Sequence, residues 1–534
     1  DQLAGLGGQI LADLVLAGEH AQAVLGVILE EGVGPGGAVA LGIFTGLMFG
    51  AIPGISGIMA ISILLPLTFY VSPLVGIPML LGIYKASMFG GSITAVLLNT
   101  PGAPPAVCTA MDGYPLTKQG KAGKGLNAAL VGSVFGDTFS NILLICVAAP
   151  LSYLTLKVGP VEQCSLILLA LTVVGSISGS SILKGILCAG VGILLATVGV
   201  SGTTGAMRFT FENENLMSGI ALIPMVIGLL CLPEVIHQAC SGIRKTFEQQ
   251  FDLSGENGRL SWQEIKSRIP VLLRSSIIGS VIGAMPGLGA SPAAYMAYSE
   301  AQRTSKHPEK FGKGAIEGVM APEAANNAVT GSAMIPLLTL GIPGDDVTAV
   351  LMGGLIIQGL QPGPELFTRY APMTYTFFAG FVLVQFFMLG IGLLGCRGFA
   401  QISRLSDAIL IPSVAVLCVV GSFAIHKNFF DVVIMMIFGV LGYLVRKFDL
   451  NPAAIVLALI LGPIGENGLR RSLRLSGGSP AILFSTPLCW VLIALCVFGV
   501  CSPIFMNRME KKAVEDAGGD IPNETGDDPV RTSD

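Results

Sequence analysis

The sequence predicts an all-α polytopic membrane protein made of two inverted-topology repeats with re-entrant or broken helices. Three observations predict it: a composition too apolar for water, runs of apolar residues long enough to cross a bilayer, and a pair of Pro-Gly motifs that recurs in order. Of the 534 residues, 52% are hydrophobic and 12% charged, with a mean hydropathy of +0.74. A soluble domain carries about 25% charged residues, so this chain lacks the polar surface to cover itself in water. Stretches such as 127–155, 373–396 and 480–506 exceed the roughly 20 residues a spanning helix needs, and about ten to fourteen such segments are expected.

The 70 Gly and 31 Pro are too many for plain helices. Gly permits close helix contact, and Pro frees backbone carbonyls that must find partners inside protein or water. GLMFGAIPGISG (46–57) and GSVIGAMPGLGA (279–290) share a Gly-Ala-x-Pro-Gly core. Each is followed by a second motif, GSITAVLLNTPG (91–102) and GSAMIPLLTLGIPG (331–344). Recurrence of both in order argues for a duplicated unit. The expected organisation is an N-terminal segment 1–36, a first repeat 37–239, a linker 240–269, a second repeat 270–506 and a polar, disordered tail 507–534.

Loop charges give the relative orientation. The turn at 68–78 is uncharged, whereas its counterpart carries Arg303, Lys306, Lys310 and Lys313. After the next motif the pattern reverses, with Lys118, Lys121 and Lys124 in the first half against 359–370 in the second. Short basic loops prefer the cytoplasm, so equivalent loops fall on opposite sides. The linker carries Arg244, Lys245, Arg259, Lys266 and Arg268 and is also expected there. With only about 30 apolar residues between two cytoplasmic loops, the Pro286-Gly287 segment reads as a re-entrant hairpin rather than a crossing. Its twin turns at Pro53-Gly54.

Inverted repeats with broken helices meeting near the midplane are a transporter architecture. N-terminal helix ends favour anions, and C-terminal ends with unwound carbonyls favour cations. The breaks contribute Asn99, Pro101 and Gly102 in one half and Pro343 and Gly344 in the other. Ser92 and Thr94, with Ser332 and Thr339, supply short polar groups beside them. The hairpin turns add Pro53, Gly54, Ser56, Pro286 and Gly287. A carboxylate and a coupling Na+ are the expected ligands, the ion near Asn99, Thr339 and Asp345.

Ionisable residues inside the membrane mark functional cavities by default. Glu323, Asn326 and Asn327 lie within about one helical turn, either lining a cavity or, for the Asn pair, bonding neighbouring helices. Glu323 has the alternative of tying down a break at Pro322. Lys85 is open between a substrate carboxylate, a structural counter-ion and snorkelling to an interface. Asp345 and Asp346 follow a break where a helix would start, so N-capping stands beside an ion role. Asp137 is a weaker candidate. The 11 Cys are scattered without a Cys-x-x-Cys pair and the four His are far apart, so no metal centre or cofactor is expected. No basic domain points to nucleic acid. The enzyme alternative is an intramembrane serine protease centred on Ser56 in a Gly-x-Ser-Gly string, which would need a His base within reach.

The blocks GAIPGISG, YKASMFGGSITAVLLNTPGAPPAVCTAMDGYPL, SKHPEKFGKGAIEGVMAPEAANNAVTGSAMIPLLTLGIPG and LGPIGENGLRRSLRLSGG resemble the large membrane subunit of the tripartite tricarboxylate transporters, from about residue 37 to 506. The resemblance implies a bacterial inner-membrane uptake system that works with a small membrane subunit and a periplasmic solute-binding protein. It implies an ion gradient, Na+ foremost, as the driving force, and citrate or a related di- or tricarboxylate as substrate. It carries a site role to Pro53, Gly54, Ser92, Asn99, Pro101, Gly102, Glu323, Asn326, Asn327, Pro343 and Gly344. The chain departs from the family pattern at Lys85–Ser87 and at Asp345–Asp346, where a different carboxylate or coupling ion would be read.

Overall fold

The computed structural model describes residues 34–52, 56–155, 159–177, 182–201, 204–240, 260–286, 288–402, 407–448, 450–494 and 496–497. Pro53, Gly54 and Gly287 therefore lie outside the described residues, as do the tail and most of the linker. The first half contains α1 (Gly34–Gly50), α2 (Gly57–Leu64), α3 (Pro73–Leu98), α4 (Ala106–Lys118), α5 (Ala122–Thr155), α6 (Pro160–Ile177) and α7 (Ile182–Ala196). A two-residue hairpin ladder, β1 (Gly199–Val200) with β2 (Met207–Arg208), precedes α8 (Leu222–Cys240), which contains one π-helical turn at Ile227–Cys231. The second half contains α9 (Trp262–Gly283), α10 (Ala290–Thr304), α11 (Ile316–Ser332), α12 (Met334–Leu340), α13 (Asp346–Ile357), α14 (Ala371–Ile402), α15 (Asp407–His426), α16 (Phe429–Lys447) and α17 (Pro452–Leu475). The chain is an all-α polytopic membrane protein.

Among the described residues six helices are long and apolar enough to cross a membrane: Pro73–Leu98, Ala122–Ser152, Leu222–Cys240, Ala371–Gly395, Phe429–Lys447 and Pro452–Leu475. Shorter apolar helices include Gly34–Gly50, Gly57–Thr68 and Asp346–Ile357, the last started by the Asp345 cap. α9 begins inside the stretch read as linker, because Ser261 and Glu264 form a capping box that starts a helix there. α11 runs unbroken through Pro322. A proline removes one backbone bond, and the dense packing of α11 holds the helix across it.

That packing rests on glycines spaced by four. On α1, a Cβ at Gly42, Gly46 or Gly50 would sit 2.2, 2.6 or 2.5 Å from the carbonyl oxygens of Met79, Ile83 and Ser87 on α3. On α5, Gly132 and Gly136 meet the Met320 and Ala324 carbonyls of α11 in the same way, at 2.8 and 2.0 Å. On α9, Gly279 meets Ala325 and Gly283 meets Ser332. Without a hydrophobic drive between helices in lipid, such backbone-to-backbone approach is what makes van der Waals contact strong enough to hold a bundle. It also places α3 and α11 at the centre, with residues 75–98 and 318–332 all buried.

The connections gather in two groups. Lys124 at the start of α5 pairs with Glu264 on α9 at 2.5 Å. Gln119 donates to the Lys313 carbonyl at 2.7 Å, and Arg268 lies 3.8 Å from Glu317. The loops 118–124, 260–268 and 303–315 thus share one face. The turn at 65–72 instead meets the end of α13, where Gln358 donates to the Thr68 carbonyl.

Candidate functional site

A cavity of about 520 Å³ lies where five helices begin. Its wall contains Ser56 and Gly57 at the start of α2, Pro105 before α4, Gly289 to Ser291 at α10, Asp345 to Val347 at α13, and Asn451 and Ala453 at α17. Local sequence caps three of these starts. Ser56 caps α2 by accepting from the Met59 N–H at 3.4 Å, and Asn451 caps α17 through the Ala453 N–H at 3.0 Å, with Pro452 behind it. Asp345 and Thr348 form a reciprocal capping box on α13. α4 and α10 have no side-chain cap.

The breaks that create these starts are alike. α3 ends on Asn99 at φ 54° and α12 on Gly341 at φ 69°, both left-handed. Asn tolerates that region through its short polar side chain, and Gly has no Cβ to clash. A Pro-Gly pair follows each by one residue, Pro101-Gly102 and Pro343-Gly344. The Gly102 N–H then returns to the Gly91 carbonyl at 3.1 Å, folding the break back onto α3.

Among the described residues four charged side chains reach the cavity: Glu234, Arg446, Asp345 and Asp346. Arg446 donates to Glu234 at 2.7 Å and to the Leu230 carbonyl at 3.2 Å. Asp345 accepts from the Tyr84 hydroxyl at 2.6 Å and from the Thr348 N–H at 2.7 Å. Asp346 accepts from the Val347 N–H at 3.0 Å. These four side chains sum to two negative charges when ionised, and five helix N-termini of about +0.5 each offset that.

The expected site residues fall into three groups. Ser56, Gly102 and Asp345 line the cavity, and Pro101, Pro343 and Gly344 belong to the breaks beside it. Asn99 and Thr339 sit at C-terminal helix ends, Asn99 exposed and Thr339 buried with its hydroxyl donating to the Ile335 carbonyl at 2.7 Å. Pro286 is in the turn between α9 and α10. Thr94 donates to the Gly91 carbonyl at 3.2 Å, and Ser332 to that of Ala328 at 2.7 Å.

Lys85 does not line the cavity. It is fully buried and donates to Asp137 and, at 2.8 Å, to Asn141, with its ammonium 5.0 Å from the Phe381 ring. Thr330 and Gln385 complete the carboxylate at 2.9 and 2.5 Å. This cluster ties together α3, α5, α11 and α14. The third group surrounds Glu323, also fully buried. Ser92 and Thr109 donate to one carboxylate oxygen and Ser133 to the other, the last at 2.8 Å. Asn327 donates to the Glu323 carbonyl at 3.0 Å. Neighbouring Asn326 is 1% exposed, and its side-chain amide makes no hydrogen bond among the described residues.

Sequence reading passed over Arg446, Glu234, Asn451 and Ser291 in the cavity wall. It also passed over Asp112, a fully buried carboxylate on α4 that accepts from the Gly314 and Ala315 N–H groups, both at 2.8 Å, and from Tyr298 at 2.9 Å. An intramembrane acid in a Gly/Pro-rich block was the available signal for Asp112; none exists for Arg446, which sits in an ordinary basic helix end.

Comparison with known proteins fits this architecture. An uncharacterized 52.8 kDa protein in the TAR-I ttuC' 3' region of Agrobacterium vitis is 34% identical over 485 residues, covering 89% of this chain and 95% of that protein. A second from the same organism, in the TAR-II ttuC' 3' region, is 34% identical over 241 residues, 45% of this chain and all of that protein. No solved structure matches. Residues 37–457 match the tripartite tricarboxylate transporter TctA family, and the chain belongs to it.

Proposed function

We propose that this chain is the large membrane subunit of an ion-gradient-driven uptake system for citrate or a related di- or tricarboxylate, and that the five-helix cavity binds that anion. The observation that carries the reading is the convergence of five helix N-termini on one space. Its volume lies within the roughly 300–1,000 Å³ usual for small-ligand sites. Unpaired N–H groups and helix dipoles favour carboxylates there, and Arg446 adds a planar donor fork suited to one carboxylate. On this reading a cation travels along to offset the negative charge that the substrate itself brings. A di- or trianion entering that space meets Asp345 and Asp346, and a coupled Na+ reduces the net charge of the loaded protein while drawing on its own gradient.

The two-fold character of the cavity supports inverted repeats. Its wall takes a hairpin turn and a Pro-Gly break from each half. The turn at 65–72 meets the end of α13, while the loop after α4 meets the one after α10, so each loop finds the non-equivalent loop of the other half. Basic residues gather on the face with loops 118–124, 260–268 and 303–315, which makes that face cytoplasmic. α9 and α10 leave and rejoin it as a re-entrant hairpin with its tip at the cavity. The system would include a small membrane subunit and a periplasmic binding protein in the bacterial inner membrane.

The test is thermal stability of the purified chain against di- and tricarboxylates with Na+ or K+. A ligand that binds only the folded form raises the melting temperature by mass action. One carboxylate should stabilise, and Arg446→Gln should weaken it by about 10- to 100-fold, the worth of a charge-assisted hydrogen bond of roughly 1.5–3 kcal/mol. A flat panel, flat again in liposomes with the binding protein and small subunit, refutes the substrate class.

A further inference from the structure

We infer that Glu323 and the hydroxyls around it form a second site, separate from the cavity, for a small monovalent cation such as Na+. This rests on the transporter reading above and names where its coupling ion sits. Glu323 differs from the other buried acids. Asp137 has Lys85, Asp431 has His426, and Asp112 and Asp345 have backbone N–H donors. Glu323 has no Lys, Arg or His within 4.0 Å among the described residues, and its side-chain partners are the hydroxyls of Ser92, Thr109 and Ser133 and the Asn327 amide.

Hydroxyls serve either polarity. They donate to a bare carboxylate, and after rotation they offer lone pairs to a cation. Burying a carboxylate without positive charge is costly enough that the group must be neutralised. The oxygens of Ser92, Thr109, Ser133 and Glu323 make a hard, all-oxygen set of the kind that suits hard cations rather than soft metals. An independent observation points the same way. The Asn327 Oδ1 is buried and accepts no hydrogen bond among the described residues, while its Nδ2 donates to the Glu323 carbonyl at 3.0 Å and lies 3.5 Å from Glu323 Oε2, a bond that a bound cation would replace. Turning that amide would bring one more free oxygen to the site.

The geometry also links the cage to the cavity. Ser92 follows Gly91, whose carbonyl receives the Gly102 N–H and whose Cα faces Ala103. Gly102 and Ala103 are cavity wall. Thr109 lies one turn into α4, behind Pro105. Filling the cage fixes α3 against α4 and so fixes the break that forms one side of the carboxylate site.

The experiment measures thermal stability of the full chain in detergent with no carboxylate, titrating NaCl against KCl and choline chloride at constant ionic strength. The expected result is a saturable rise with Na+ and none with choline. Glu323→Gln abolishes it, and Ser133→Ala raises the half-saturating Na+ by about tenfold, the equivalent of one hydrogen bond of roughly 1.4 kcal/mol. If Glu323→Gln fails to fold, Ser133→Ala and Asn327→Ala carry the test. No Na+ response in the wild type overturns the inference. So does a Na+ response that all three variants keep, or stabilisation by acid alone that Glu323→Gln removes, which would mean a protonated carboxyl. A parallel carboxylate titration in saturating NaCl separates the two readings. Loss of the carboxylate response with the Na+ response intact condemns the cavity and leaves the cage.

Discussion

Replacing Asp137 by Ala leaves the Lys85 ammonium fully buried among α3, α5, α11 and α14 with only Asn141 and Thr330 in reach. Removing one member of a buried ion pair costs about 3–5 kcal/mol, because the survivor has lost water and gained nothing. Thr330 keeps the Asn327 carbonyl at 2.7 Å and Gln385 the Phe381 carbonyl at 3.5 Å, so the stranded ammonium dominates and the loss stays within that range. Replacing both charges, as Lys85→Met with Asp137→Ala, removes the stranded charge, and buried pairs exchanged for apolar groups are often neutral in stability. The double variant should therefore be more stable than Asp137→Ala, with a coupling energy of about 2–3 kcal/mol. Denaturant titration of the detergent-solubilised protein, followed by tryptophan or circular dichroism signal, gives all four corners of the cycle. Two single variants within about 0.5 kcal/mol of wild type, or effects that simply add, would refute the assignment of Lys85 as a structural counter-ion.

Gly136→Ala places a methyl 2.0 Å from the Ala324 carbonyl, and overpacking of this kind costs about 1–3 kcal/mol or more. Gly190→Ala on α7 meets nothing within 4 Å and should raise stability by up to about 1 kcal/mol; both are read by the same titration. Tyr84→Phe strips one donor from the buried Asp345 carboxylate and should cost about 1–3 kcal/mol. It should also speed hydrogen exchange at Val347 and Thr348, where α13 begins. Lys124, donating to Glu264 across the start of α9, holds that carboxyl below the usual range. A lowered folded value means the contribution is present above the unfolded value, about 4.3, and is lost as pH falls through the folded one. Exchange protection over residues 262–268 should decline on acidification below that point, and Glu264→Gln should flatten the dependence.

The Pro-Gly breaks were legible because local chemistry forces them: Asn99 and Gly341 adopt left-handed backbone, and Asp345 is a natural cap. Glu323, Asn327 and Ser92 were legible because polar groups stand out in an apolar run. Two kinds of fact were not. Partnerships across 50 to 250 residues, such as Lys85 with Asp137 or Gln385 with Asp137, leave no local trace, so Lys85 stayed open between ligand and counter-ion. The remaining wall of the cavity, with Glu234, Arg446 and Asn451, comes from helices whose spacing bears no relation to the repeated motifs.

The glycine seam between α5 and α11 joins a helix of the first half to one of the second, carbonyl against α-carbon. Other cross-half pairs are α7 with α17 and α8 with α16, where Gly192 lies on the Ile455 carbonyl and Gly228 on that of Met435. Rocking one half of the sequence against the other would have to open all three seams at once. Those seams group the helices as α1–α5 with α9–α14 and α6–α8 with α15–α17, and side chains of both groups, such as Met59, Ile227 and Met435, share one buried core. The cavity lies between the two groups, with Ser56, Gly102, Ser291 and Asp345 on one side and Glu234, Arg446 and Asn451 on the other. If the proposed anion site is right, a sliding of one group on the other would carry Glu323 and its hydroxyls intact while changing which residues of the second group line the cavity.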